Sequence, residues 1–77
     1  MRVTVEMHGP FQRFNEGGQR RAELDLEDSL TVRDLLIRLG MDVEEPWNAG
    51  LNGRLAAPSD TVSDGSFLIV FPPIEGG

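Results

Sequence analysis

Phe67-Leu68-Ile69-Val70-Phe71 is an unbroken apolar run near the end of a 77-residue chain, closed by Pro72-Pro73. Five such residues in a row read as a strand, and a continuously apolar strand is usually central in its sheet. The prolines stop it, because proline has no N–H to give to a ladder. Far upstream, Val3, Val5 and Met7 alternate with Thr4 and Glu6, the period of a half-buried strand. That strand is the natural neighbour of the last one. A helical crossover between them allows the two to run parallel.

The helix is the clearest local signal in between. Val32, Leu35, Leu36 and Leu39 recur at i, i+3, i+4 and i+7, one face of a 3.6-residue repeat. Thr31 is placed as N-cap, Asp34 favours the positive helix end, and Gly40 is placed to stop the helix in a left-handed conformation. So short a helix would not stand alone in water and must be held against a sheet. Ala22, Leu24 and Leu26 alternate with Glu23, Asp25 and Glu27 and read as a second strand, antiparallel to the first. His8 to Arg21 reads as a loop in which Phe11 and Phe14 suit one helical turn. Asn48 to Leu51 reads as a short strand closed by Asn52-Gly53, which supplies the two positive-φ positions of a type I′ turn. Pro58 to Ser66 reads as polar and turn-rich, with Asp64-Gly65 as its last punctuation.

This order predicts an α+β domain over residues 1–71, a mixed four- to five-stranded sheet with one main helix on one face. That is the β-grasp, or ubiquitin-like, architecture. Residues 72–77 are then an extended C-terminal tail. With one helix on one face, either Phe67, Ile69 and Phe71 or Leu68 and Val70 point to the open side. Exposed apolar side chains there make a docking surface, unless a loop residue such as Trp47 folds over it.

Composition excludes several functions. A chain of this size buries only about 60 to 65% of its unfolded surface and has no room for a deep enclosed active site. There is no cysteine, so disulfides, thiolate metal sites and a cysteine nucleophile are excluded together. A single histidine, His8, leaves no histidine cluster for a metal. Net charge is −6, which argues against nucleic acid and suits either a basic protein partner or plain solubility. All the bases are arginine, so no side-chain amine can accept an acyl group. No apolar run approaches the ~18 residues of a membrane span, and the strand pattern begins at once, so a cytoplasmic domain is expected.

The tail carries the chemistry. Pro72 and Pro73 stiffen the exit from the last strand into an extended segment. Six extended residues, Pro72-Pro73-Ile74-Glu75-Gly76-Gly77, reach roughly 20 Å. The tip has no Cβ and fits a channel as narrow as the backbone. Such an arm delivers the α-carboxylate of Gly77 into another protein's active site. That carboxylate is ionised at neutral pH and is a poor electrophile. It needs conversion to a mixed anhydride such as an acyl-adenylate. This chain has no phosphate-cradling glycine loop followed by lysine, so a nucleotide-binding partner must perform the activation.

The sequence resembles the MoaD/ThiS family of ubiquitin-like sulfur carriers, most like the small subunit of molybdopterin synthase. The resemblance rests on Leu30-Thr31-Val32-Arg33-Asp34-Leu35-Leu36, Asn52-Gly53, Asp64-Gly65, and the run from Phe71-Pro72-Pro73 to Gly76-Gly77. It implies a carrier and subunit that is not a free-standing enzyme. Gly77 would be adenylated by an enzyme similar to ubiquitin-activating enzymes, using ATP and magnesium, and converted to a thiocarboxylate. Pro72, Pro73, Ile74, Glu75 and Gly76 would be read by a partner's channel, such as the molybdopterin synthase large subunit. Phe67, Ile69 and Phe71 would dock the partner. The chain itself would bind no metal or cofactor. Pro72-Pro73 favours the molybdopterin branch over the thiamine branch. Ser66, where many members carry an acid, and the glycine-rich stretch from Gly9 to Arg21 depart from the pattern. Other outcomes implied by the resemblance are tRNA thiolation and attachment to proteins as a modifier. A plain ubiquitin-like binding module is the alternative from another class.

The remaining residues read more plainly. His8 follows the first strand with no second ligand in sight and reads as a surface histidine. Trp47 reads as a cap on the core beside the helix. Arg20-Arg21 beside Glu23, Asp25 and Glu27 read as a solvated strand face. Adjacent acids at Glu27-Asp28 and Glu44-Glu45 do not make an acid/base pair.

Overall fold

A computed structural model describes residues 1–73. Its elements are β1 (Arg2–Met7), β2 (Arg21–Asp25), β3 (Leu30–Thr31), α1 (Val32–Arg38), β4 (Asn48–Leu51), β5 (Arg54–Leu55), β6 (Thr61–Val62) and β7 (Phe67–Phe71). Five strands form one mixed sheet in the order β2-β1-β7-β4-β5, and β3 and β6 form a separate two-stranded piece. β7 is central, parallel to β1 and antiparallel to β4. The β-grasp expectation holds.

The helix forms for the reasons its sequence offers. The Thr31 hydroxyl accepts from the Asp34 N–H at 3.1 Å, which satisfies one orphan donor of the first turn. Gly40 follows with φ +96°, a conformation that a Cβ would strain. Val32, Leu35 and Leu36 are fully buried against Val3, Val5, Met7, Leu68 and Val70 from the sheet. With only seven residues, α1 owes its stability to this packing.

Asn52 (φ 52°) and Gly53 (φ 85°) make the expected turn between β4 and β5. Asn52 does more than turn the chain. Its backbone N–H donates to the Phe67 carbonyl at 2.9 Å, and its side-chain oxygen accepts from the Phe67 N–H at 2.8 Å. The hairpin is thereby fastened to the start of β7. Asp64-Gly65 is fastened similarly: Asp64 Oδ1 accepts from the Arg2 N–H and the Gly65 N–H donates to the Arg2 carbonyl, both at 2.8 Å.

Two expectations need correction. The stretch read as polar turns, Pro58 to Ser66, contains β6, and Val62 within it is fully buried. The Arg21 end of the expected loop is already strand, and the loop itself coils into 3-10 turns at Gly9–Phe14 and Glu16–Gly18. Asn15 is buried between these turns, where its amide donates to the carbonyls of Val5 and Arg20. The open side expected along β7 is that of Phe67, Ile69 and Phe71: burial alternates, complete at Leu68 and Val70 and partial at those three. Among the described residues no helix is long and apolar enough to cross a membrane.

Candidate functional site

Because alternate residues of a strand face opposite sides, the register of the sheet maps its open face. Leu68 and Val70 lie in the core beneath α1, so Phe67, Ile69 and Phe71 face away from the helix. The partners of Ile69 are Glu6 on β1 and Gly50 on β4. Glu6 pairs in turn with Arg21, and Gly50 with Leu55. One row therefore crosses the whole sheet: Arg21, Glu6, Ile69, Gly50, Leu55. Phe67 lies beside Thr4, and Phe71 beside Asn48.

The two halves of this face differ in chemistry. On the β1–β2 half, charges are paired with one another. Glu6, its side chain only 14% exposed, accepts from Arg21 Nη2 and from His8 Nε2, each at 2.9 Å. Those bonds, first that from His8 and then that from Arg21, hold the Glu6 carboxyl below its usual range. A carboxylate only accepts, so the proton of the shared bond sits on Nε2 of His8. Arg21 also lies over the Phe67 ring, 5.1 Å from its centroid, and so covers part of that aromatic face. Arg2 pairs with Asp25 at 3.2 Å and with Glu23 at 3.9 Å, which raises the Arg2 pKa further. In the rows just traced, the β7–β4–β5 half carries no charged residue: Phe67, Ile69, Phe71, Asn48, Gly50 and Leu55.

Trp47 does not cover the open face. Its indole N–H donates to the Val43 carbonyl at 3.1 Å, and its ring packs on the helix-side core. It lines a shallow groove there with Arg33 and Pro58.

The exit of the tail is buttressed by the turn after β1. The His8 N–H donates to the Val70 carbonyl at 2.9 Å. At Gly9, where φ is +58°, a Cβ would stand 3.6 Å from Cγ of Pro72. Pro72 and Pro73 are half-buried. The expected channel residues Ile74, Glu75 and Gly76, and the expected sulfur-bearing Gly77, lie outside the described residues. Among the described residues no group of three or more His, Asp and Glu side chains is disposed to hold a metal.

Sequence reading missed the partners of His8 and Arg21, which share the Glu6 carboxylate. It also missed Gly50 and Leu55. Counting back from the Asn52-Gly53 turn would have set those two opposite each other.

A model of the ThiS family matches residues 9–77. The chain belongs to the ThiS family. Solved structures agree with this assignment. A protein designated subunit 1 of a molybdopterin converting factor from Pyrococcus furiosus is 25% identical, with TM-score 0.73, covering 96% of this chain and 99% of that one. A thiamine biosynthesis protein from Geobacter metallireducens is 27% identical, with TM-score 0.59, covering 100% of this chain and 88% of that one. Small archaeal modifier protein 1 from Haloferax volcanii is 24% identical, with TM-score 0.71, covering 95% and 98%, and shares the fold. This ThiS-family chain is thus of the type of the ubiquitin-like sulfur carriers, small carrier subunits by class.

Proposed function

We propose that this ThiS-family protein carries sulfur on the carboxylate of Gly77, with molybdopterin synthesis as its destination. The observation that carries the reading is the family match running through Gly77, joined to a strand that ends in Pro72-Pro73 beside a half-exposed apolar face. In the first step a Gly77 carboxylate oxygen attacks the α-phosphorus of ATP, and pyrophosphate leaves. In the second, the sulfur of a sulfide donor attacks the acyl carbon, and AMP leaves with that oxygen. One oxygen is thus replaced by sulfur. The partner supplies ATP, magnesium and the nucleotide site; this chain supplies the acyl group and a surface around Phe67, Ile69 and Phe71 to be held by. The likeness to a converting-factor subunit 1, together with the paired prolines, supports the molybdopterin route and a second subunit that receives the tail.

A second destination has its own support. The likeness to a thiamine biosynthesis protein favours the same charging step with a different sulfur acceptor. Both share one test. The full chain is incubated with the adenylating enzyme of its own cell, ATP, magnesium and sulfide, and its intact mass is read. The expected product has one terminal oxygen exchanged for sulfur, and removing Gly77 abolishes it without changing the fold. An unchanged mass with an enzyme that is active on its other substrates would overturn the proposal.

A further inference from the structure

The last strand leaves the domain over the turn that follows the first. His8 and Gly9 come directly after β1, and the His8 N–H donates to the Val70 carbonyl at 2.9 Å, just short of Pro72. The His8 ring is held in turn by the Glu6 carboxylate at 2.9 Å. Gly9 takes φ +58°, and the space a Cβ would fill there opens onto the Pro72 ring, 3.6 Å from Cγ and 3.7 Å from Cδ. A left-handed φ favours glycine, and Gly9 also precedes Pro10, whose ring crowds the residue before it. Beyond Pro10 the same turn of 3-10 helix buries Phe11 in the core. The turn is thus anchored on both sides of Gly9, and Pro72 leans on the glycine between.

We propose that Gly9 is a positioning residue for the charging of the tail. It acts through Pro72 to set the direction in which the chain leaves the sheet, and so where the Gly77 carboxylate meets the α-phosphorus of ATP. The inference rests on the carrier reading above and adds to it a residue outside the tail. Direction matters because the φ of proline is fixed, so an angle set at Pro72 is carried through Pro73. Two extended residues span roughly 6 Å, so a tilt of about 10° at Pro72 shifts the start of the remaining chain by about 1 Å. An error of that size at a reacting atom can cost on the order of a hundredfold in rate. The loss expected here is about tenfold, since residues 74–77 still lie between that point and the reacting carboxylate. Alanine at Gly9 is strained at a left-handed φ. A swing of the turn relieves that strain and takes the support away from Pro72.

The test is ATP–pyrophosphate exchange by the adenylating enzyme of the same cell, with the full chain as varied substrate. Gly9→Ala should lower kcat about tenfold while KM stays within about twofold. Gly65→Ala is the matched control. Gly65 also has a left-handed φ, +81°, with nothing within 4 Å of a Cβ, and it lies before the other end of β7. That variant should lose a similar amount of melting temperature and keep the wild-type kcat. Pro72→Gly frees the direction at the exit and should lower kcat too, and adding Gly9→Ala to it should lower kcat no further. Wild-type kcat for Gly9→Ala, a loss shared equally by Gly65→Ala, or losses at Gly9 and Pro72 that multiply would each overturn the inference while the carrier reading stands. A raised KM with kcat unchanged assigns Gly9 to the docking contact and overturns it as well. If Gly9→Ala does not fold, Pro72→Gly alone decides, and an unchanged kcat there overturns the inference. No exchange with the wild-type chain overturns the carrier reading and this inference with it.

Discussion

Leu68 and Ile69 are neighbours on β7, similar in size and hydropathy, yet they live in different surroundings. Leu68 is sealed beneath α1, and Ile69 lies between a carboxylate and a glycine on the side with no helix. Nothing intrinsic to the two side chains separates them. The difference is imposed by a sheet covered on one face only, so one strand supplies the core with one set of residues and leaves the other set on the open face. Under the proposed carrier function, stability and recognition fall on alternate positions of five residues and can be changed independently.

The sharpest way to break this comparison is truncation at the buried position. Leu68→Ala should cost about 2 to 5 kcal/mol, the transfer and cavity terms together. That is a large share of the roughly 5 to 15 kcal/mol of a typical domain. Urea unfolding measures it. Ile69→Ser should move unfolding by about 1 kcal/mol or less, yet raise the KM of the adenylating enzyme about tenfold. Equal stability losses at the two sites would remove the distinction between faces. The smallest effect concerns the charged half of the open face. Glu6 has its carboxyl held below its ordinary value of 4.5. Its ion pairs therefore add stability at pH values above that, and the gain disappears as pH falls through the lowered value. Glu6→Gln should lose about 1 kcal/mol or less at neutral pH, because both partners are solvent-screened. Wild type and variant should converge in acid, and parallel stability–pH curves would show that the network contributes nothing.

The parts of this molecule legible in its sequence are those in which local chemistry and global fold agree. Thr31, the Val32–Leu36 spacing and Gly40 announce a capped helix, and Asn52-Gly53 announces a turn, because capping and positive φ depend on a few adjacent residues. The alternation of Val3, Val5 and Met7 announces a face. Contacts made by distant partners were illegible. Val62 sits in a polar stretch, and only its pairing with Leu30 draws it inward. Arg21 reaches the Glu6 carboxylate only through the β1–β2 register, where His8, two residues along from Glu6, is also bound. Similarly, Gly50 reads as an unremarkable strand glycine until the sheet sets Ile69 and Leu55 on either side. The tail was read from its residue types, and its reach is a matter for the charging experiment.

The place of β7 in the sheet has a consequence for how the chain acquires its shape. β1–β2 and β4–β5 are hairpins of local origin, and β7 is the strand that joins them. Until it arrives, each hairpin is a two-stranded ribbon, marginal at best in water. Its pairing with β1 closes a loop spanning most of the chain, so collapse awaits a distant encounter, and speed is traded for all-or-none assembly. Hydrogen exchange at the amides of Val5 and Leu68 should then report global opening and share one rate. A quality-control protease would accordingly meet this polypeptide either whole or fully undone.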